Sequence, residues 1–164
     1  MSTTTSTTVY TRTHTATYLS DVIMGAIGDI LALLGITPSN AARWDLDQEA
    51  IAAWIEEQSL ETVVLECHRP NGTVRPIFEF PVSYDVSGVG QFENSQAAMS
   101  RYLAKVSSVP SGTTYKLFCT FRKSRTPQDG WSPGVRYSTA GLHLTSFGSL
   151  AEAPHARASL RHLR

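Results

Sequence analysis

Only two cysteines occur in the chain, Cys67 and Cys119, and they form no Cys-x-x-Cys pair. That excludes a disulfide scaffold and the common zinc ribbons. The five histidines, His14, His68, His143, His155 and His162, show no metal-ligand spacing, so no metal or cofactor is expected. There is no Walker A sequence, no Gly-x-Ser-x-Gly and no His-Glu-x-x-His. Gly88 and Gly90 make a Gly-x-Gly, but no third glycine follows at the dinucleotide spacing. No apolar run is read as approaching the length of a membrane span. The opening residues 1–8 are rich in Ser and Thr, without the basic and apolar regions of a signal peptide, so a cytoplasmic protein is expected.

Charged residues are only 17% of the chain and hydrophobic ones 41%, which fits a globular protein of one domain across 164 residues. The net charge is zero, but it is unevenly spread. Residues 1–121 carry a net charge of −5 and residues 122–164 a net charge of +5. A basic tail can bind nucleic acid. Here Arg122, Lys123, Arg125, Arg136, Arg157, Arg161 and Arg164 are thinly spread, and folding back onto the acidic body is preferred.

Residues 1–7 read as a flexible segment and residues 8–13 as a short strand. Leu19, Val22, Ile23, Ala26, Ile27, Ile30, Leu31 and Leu34 recur at helical spacing, which predicts a core helix over 14–34. Gly35 and Pro38 end it. Gly25 and Gly28 lie near its apolar stripe and suggest a close approach by another element. A second helix is expected over 47–58, capped by Asp45 or Asp47, with Ile51, Trp54 and Ile55 inward.

A hairpin follows. Val63, Leu65 and Cys67 alternate in one strand and Val74, Phe78, Phe80, Val82 and Tyr84 in the next, around Pro70-Asn71-Gly72-Thr73. Pro76 and Pro81 call for an exposed edge or bulges in the second strand. Ser87-Gly88-Val89-Gly90 reads as a loop and residues 94–106 as a third helix. Tyr115, Leu117, Cys119 and Phe121 then alternate in a strand, with Lys116, Phe118 and Thr120 on its other side. Both cysteines fall on apolar strand positions as buried thiols; a disulfide between paired strands is the alternative. Glu56, Glu57 and Asp47 read as surface helix carboxylates.

From Lys123 onward glycine and proline break all regularity, yet Trp131, Tyr137, Leu142, Leu144, Phe147 and Leu150 are too apolar for disorder. Such a long irregular segment is usually functional. It reads as a belt packed on the body, with short strand-like stretches near 135–139 and 142–147.

This order of elements, with local motifs, resembles the bacterial HORMA-domain proteins of antiphage (CBASS-type) signalling operons. The likeness is carried by Tyr10-Thr11-Arg12-Thr13-His14-Thr15-Ala16-Thr17-Tyr18-Leu19-Ser20-Asp21 and Arg43-Trp44. Further on, it rests on Tyr115-Lys116-Leu117, Gly130-Trp131-Ser132-Pro133-Gly134, Tyr137-Ser138-Thr139-Ala140-Gly141 and Phe147-Gly148-Ser149. It spans roughly residues 8–164. One departure is Arg136-Tyr137-Ser138-Thr139, where Tyr-Arg-Ser-Thr is expected; another is the C-terminus, Arg161-His162-Leu163-Arg164.

The resemblance implies an α+β, HORMA-like fold, with three helices packed on a mainly antiparallel sheet and a C-terminal safety belt. Residues 8–122 would be the core and 123–164 the belt of the same domain. It implies a non-enzymatic switch that clasps a short closure peptide as an added strand. Closed on that peptide, it would bind and activate a cGAS-like nucleotidyltransferase, which makes a cyclic oligonucleotide. An AAA+ remodelling ATPase would reopen it by engaging the N-terminus, at Ser2, Thr3, Thr4 and Thr5. The residues favoured for peptide contact are Tyr115, Leu117, Phe118, Cys119, Thr120 and Phe121, with Trp131, Arg136 and Tyr137 from the belt. Two alternatives stand beside this reading: a nucleic-acid-binding module using the basic tail, and a small enzyme using Cys119, His68 or His143.

Overall fold

A computed structural model describes the backbone of residues 2–85 and 90–164, with side chains from residue 11 onward. Ser87, Gly88 and Val89 of the expected loop lie outside the described residues. Helix α1 runs Ser2–Leu34 and is longer than its apolar stripe predicts. Residues 8–13 are therefore helical, not a strand, and the backbone from Ser2 to Thr7 is helical too. Threonine costs a helix only about 0.7 kcal/mol or less per residue, and a helix already nucleated extends cheaply. Thr17 also satisfies its hydroxyl on the Thr13 carbonyl one turn back, at 3.1 Å.

Leu19, Ile23, Ile27 and Ile30 are fully buried, which places the predicted stripe in the core. The residues 11–34 are also long and apolar enough to cross a membrane, contrary to the sequence expectation. Half of that stretch is buried inside the fold, as the core helix of a globular domain would be. Gly35 (φ +69°) ends the helix in a Schellman motif: its N–H donates to Ala32 O, and that of Ile36 donates to Leu31 O. Of the two helical glycines, only Gly28 is approached closely, by the Trp44 ring.

Helix α2 spans Ala41–Glu56 and starts six residues earlier than expected. Its cap is Asn40, whose side chain accepts from Arg43 N at 2.8 Å. Asp47 instead sits inside the helix, buried and paired with Arg43 at 3.0 Å. Ile51, Trp54 and Ile55 face the core as read. Helix α3 is short, Gln96–Leu103.

The strands are β1 (Leu60–His68), β2 (Val74–Tyr84), β3 (Glu93–Asn94), β4 (Thr114–Phe121), β5 (Leu144–Ala153) and β6 (Ala156–Leu163). They form one antiparallel sheet in the order β3-β5-β6-β2-β1-β4. In the β1–β2 turn only Gly72 takes positive φ; Asn71 acts through its side chain, which accepts from Thr73 N. Strand β2 is interior, so the exposed edge expected for it is absent. The irregularities fall at the prolines: β2 bulges at Arg75 and Pro76, two residues opposite Cys67 of β1, and the β2–β6 pairing is interrupted between Glu79 and Val82, around Pro81.

Both sheet faces are covered. On one, Val63, Leu65, Cys67, Phe78 and Phe80 pack with the helices. On the other, Val64, Val74, Ile77 and Leu163 form a second cluster with Phe118 and Leu142. Val74 lies in that second cluster, apart from Phe78 and Phe80, because the bulge breaks the alternation. The basic segment 122–164 thus ends in an ordered hairpin, β5–β6, seated against β2. Residues 135–139 form no strand.

Candidate functional site

Strand β4 is the last strand of the sheet and pairs with β1 alone. Its register, with Val63 opposite Cys119 and Leu65 opposite Leu117, turns Tyr115, Leu117, Cys119 and Phe121 to the helix side. Phe118 faces the other cluster. Among the described residues, no backbone hydrogen bond joins the outer edge of β4 to residues 123–143. An exposed edge of this kind is a template for another strand.

Residues 122–143 pass around that edge. On the helix side they are tethered to α2 and to the residues just after it. Arg122 N donates to Ser59 O at 2.9 Å. Thr126 donates to Glu57 from its N–H at 3.0 Å and from its hydroxyl at 2.8 Å. The Trp54 indole donates to Thr126 O at 2.7 Å. Burial pushes the Glu57 carboxyl up, but hydrogen bonds from Thr126 and Ser59, with Lys123 nearby, bring it below its ordinary value. Arg43 donates to Gly130 O at 2.5 Å, and Trp131 stands edge-on to Trp54 with centroids 5.3 Å apart.

The chain then crosses β4 to the opposite face. A Cβ on Gly134 would lie 3.1 Å from the Phe118 ring, so glycine allows the close passage. Arg136 pairs with Glu79 at 2.7 Å, and Glu79 also pairs with Arg161 of β6 at 3.0 Å. Tyr137 N donates to Glu66 Oε2 at 2.5 Å. Glu66 and Glu79 are both buried. They fasten the crossing segment to the sheet from below, as Glu57 and Arg43 fasten it from α2.

Between edge and loop lies a cavity of about 390 Å³, lined by Leu117, Phe118, Cys119, Phe121 and Trp131, with Arg43, Trp54 and Arg125 also on its wall. Trp131 Nε1 is shielded from solvent and has no hydrogen-bond partner among the described residues. The structure thus brings five of the sequence-selected residues together. Tyr115 lines a neighbouring pocket, its hydroxyl accepting from Ser39 N at 2.9 Å, and Thr120 lines neither. Arg136 and Tyr137 lie beyond the crossing, engaged with Glu79 and Glu66. Sequence reasoning missed Glu66 and Glu79, and it placed Glu57 and Asp47 on the surface. Only their position in the assembled fold shows what they hold.

The thiols suit packing rather than chemistry. Burial pushes Cys67 up to about 12 and Cys119 well above its ordinary value, Asp47 adding to the latter. No group of three or more metal-ligating side chains occurs among the described residues. Much of the basic tail is engaged within the fold: Arg136 and Arg161 pair with Glu79 of the body, Arg157 pairs with Glu152 of the tail itself, and Arg125 lies over the Phe121 ring.

Three helices on one face of an antiparallel sheet, with the C-terminal chain looped around its edge, define a HORMA-type fold. The family model described as bacterial HORMA domain 2 matches residues 4–164, and the chain belongs to that family. A search of curated proteins finds no match. Among solved structures, a chain of the mitotic checkpoint complex is similar at TM-score 0.73 and 11% identity, covering 91% of this chain and 97% of that one. The C. elegans protein HTP-2 bound to the HIM-3 closure motif gives 0.69 and 12%, covering 91% and 89%. The E. coli MS115-1 HORMA:CdnC:Trip13 complex gives 0.65 and 11%, covering 93% and 89%.

Proposed function

We propose that the protein is a non-enzymatic, cytoplasmic switch that clasps a short extended peptide between β4 and the segment crossing it. The observation that carries this reading is an unpaired strand edge enclosed by the protein's own chain. A peptide adding to that edge gains main-chain hydrogen bonds, and its alternate side chains meet two different walls. One wall holds Trp54, Phe121 and Trp131, the other Phe118. The unpartnered Trp131 Nε1 offers a further donor. Residues 123–164 act as the belt and residues 8–122 as the core. Leaving requires the belt to open, so release is slow.

In the closed form the protein binds and activates a cGAS-like nucleotidyltransferase in antiphage signalling. An AAA+ ATPase reopens it by pulling on Ser2, Thr3, Thr4 and Thr5, the start of α1. The E. coli HORMA complex with CdnC and Trip13 and the HTP-2 complex with a closure motif support partners of these kinds. The test is a peptide-display selection on the purified protein followed by timed proteolysis. Enrichment of an extended peptide that protects residues 123–143 supports the reading. No enrichment, with an unchanged rate of cleavage, refutes it.

A further inference from the structure

A second cavity, of about 240 Å³, lies at the β1–β2 turn, away from the belt crossing. Its lining includes Arg69, Arg75, Val106, Ser107, His162 and Arg164. No carboxylate side chain is among them, and none of the three arginines forms a salt bridge among the described residues. Arg69 is oriented by donating from Nε to Arg75 O at 2.9 Å. The charge excess survives even if the α-carboxyl of Arg164 is counted against it.

Beside these guanidiniums stands a buried imidazole. His162 is 4% exposed and stacks on Phe78, with centroids 4.6 Å apart and planes 6° from parallel. Its Nδ1 lies 3.1 Å from the Tyr102 hydroxyl. A phenol can donate or accept here; in the tautomer in which it donates to Nδ1, the neutral ring carries its proton on Nε2. Nε2 is shielded from solvent and has no hydrogen-bond partner among the described residues. A buried polar nitrogen left without a partner is costly. The ring is held neutral at ordinary pH, since burial, with Arg164 adding, pushes it down to about 4. The carbonyl end of α3 is nearby, but the carbonyls of Tyr102 and Leu103 are taken by Lys105 N and Val106 N.

We infer that this cavity is a binding site for a phosphate group, held by Arg69, Arg75 and Arg164 and by the Nε2–H of His162. A phosphomonoester has three free oxygens and nearly two negative charges, which suits several guanidinium donors and one imidazole donor better than a planar carboxylate does. The inference is independent of the peptide reading, because no residue of this cavity lines the β4 crossing.

The experiment is an NMR titration of the full chain labelled at histidine, following the His162 ring. Inorganic phosphate is added first, then phosphoserine and a nucleoside 5′-monophosphate; sodium chloride and acetate at equal ionic strength serve as controls. Saturable shifts with each phosphate, and about tenfold weaker binding in the exposed-site variant Arg75→Ala, are expected. A tighter phosphoserine identifies a protein-borne source and a tighter nucleotide identifies a nucleotide; equal binding assigns recognition to the phosphate alone. Each of these three orders supports the site. Shifts that chloride or acetate reproduces, or that Arg75→Ala leaves unchanged while its spectrum stays folded, overturn it.

Discussion

Replacing Glu79 with Ala should loosen the belt without unfolding the helical layer. Glu79 is 8% exposed and holds two guanidiniums, Arg136 at 2.7 Å and Arg161 at 3.0 Å. Removing one partner of a fully buried ion pair costs about 3–5 kcal/mol, and an exposed pair is worth about 0–1 kcal/mol. The Arg136 and Arg161 side chains are 29% and 40% exposed, so water can take over part of their solvation. The expected cost is therefore intermediate, about 2 kcal/mol. That corresponds to roughly a thirtyfold rise in the opening equilibrium. Native-state hydrogen exchange reads it directly. Amides of residues 134–140 should exchange about thirtyfold faster in Glu79→Ala, while those of α1 between Leu19 and Leu31 change little. Arg136→Ala, which leaves Glu79 paired to Arg161, should show a smaller effect confined to the belt. Unchanged exchange at 134–140, or an equal acceleration throughout α1, would refute the assignment of Glu79 as a fastener.

Trp131→Ala removes the edge-on contact with Trp54 and the surface beneath Arg43, so proteolysis between 125 and 133 should accelerate several-fold while the core unfolds at nearly the same temperature. His162 gives an acid limb. Its folded-state value is lowered to about 4 from 6.5, so its stabilisation is full above pH 6.5 and is lost as pH falls towards 4. Denaturant melts in phosphate-free buffer should show that slope and lose it in His162→Gln. Cys67 gives the opposite sign: its folded value is raised to about 12 from 9.0, so its contribution is present below pH 9 and is lost as pH rises towards 12. Cys67, fully buried, should not react with a thiol reagent at about pH 8 until the chain unfolds, and rapid labelling of it in the native protein would contradict that burial. Cys119, expected from sequence to be buried but only half-buried in the cavity wall, should react once the belt opens.

The parts of the fold legible in sequence are those whose hydrophobic period is strong. The α1 stripe, the β1–β2 hairpin apart from Val74, and the alternation of Tyr115, Leu117, Cys119 and Phe121 place the correct faces inward. The start of α1 was not legible, because Ser and Thr carry no apolar period and are β-branched or cap-prone. The start of α2 is hard to read because Asp45 and Asp47 are cap candidates as good by residue type as Asn40, which forms the cap. The β5–β6 hairpin hides behind small residues: Ala151, Ala153, Ala156 and Ala158 bury little area and are poor strand formers. Its turn uses His155 at φ +74°, where a glycine would have been a clear signal. Half of the site was visible as the β4 pattern and Trp131. The fasteners were not, since an isolated Glu66 or Glu79 reads as a solvated strand residue until the belt lies over it.

The central claim is that β4 accepts a peptide strand beneath the belt. Hydrogen exchange on the protein with and without a display-selected peptide tests it most directly. The account predicts strong new protection of amides in β4, at residues 115–121, together with protection across 131–137. Protection elsewhere, for instance along β5 between Leu144 and Ser149, with β4 unchanged, would contradict it.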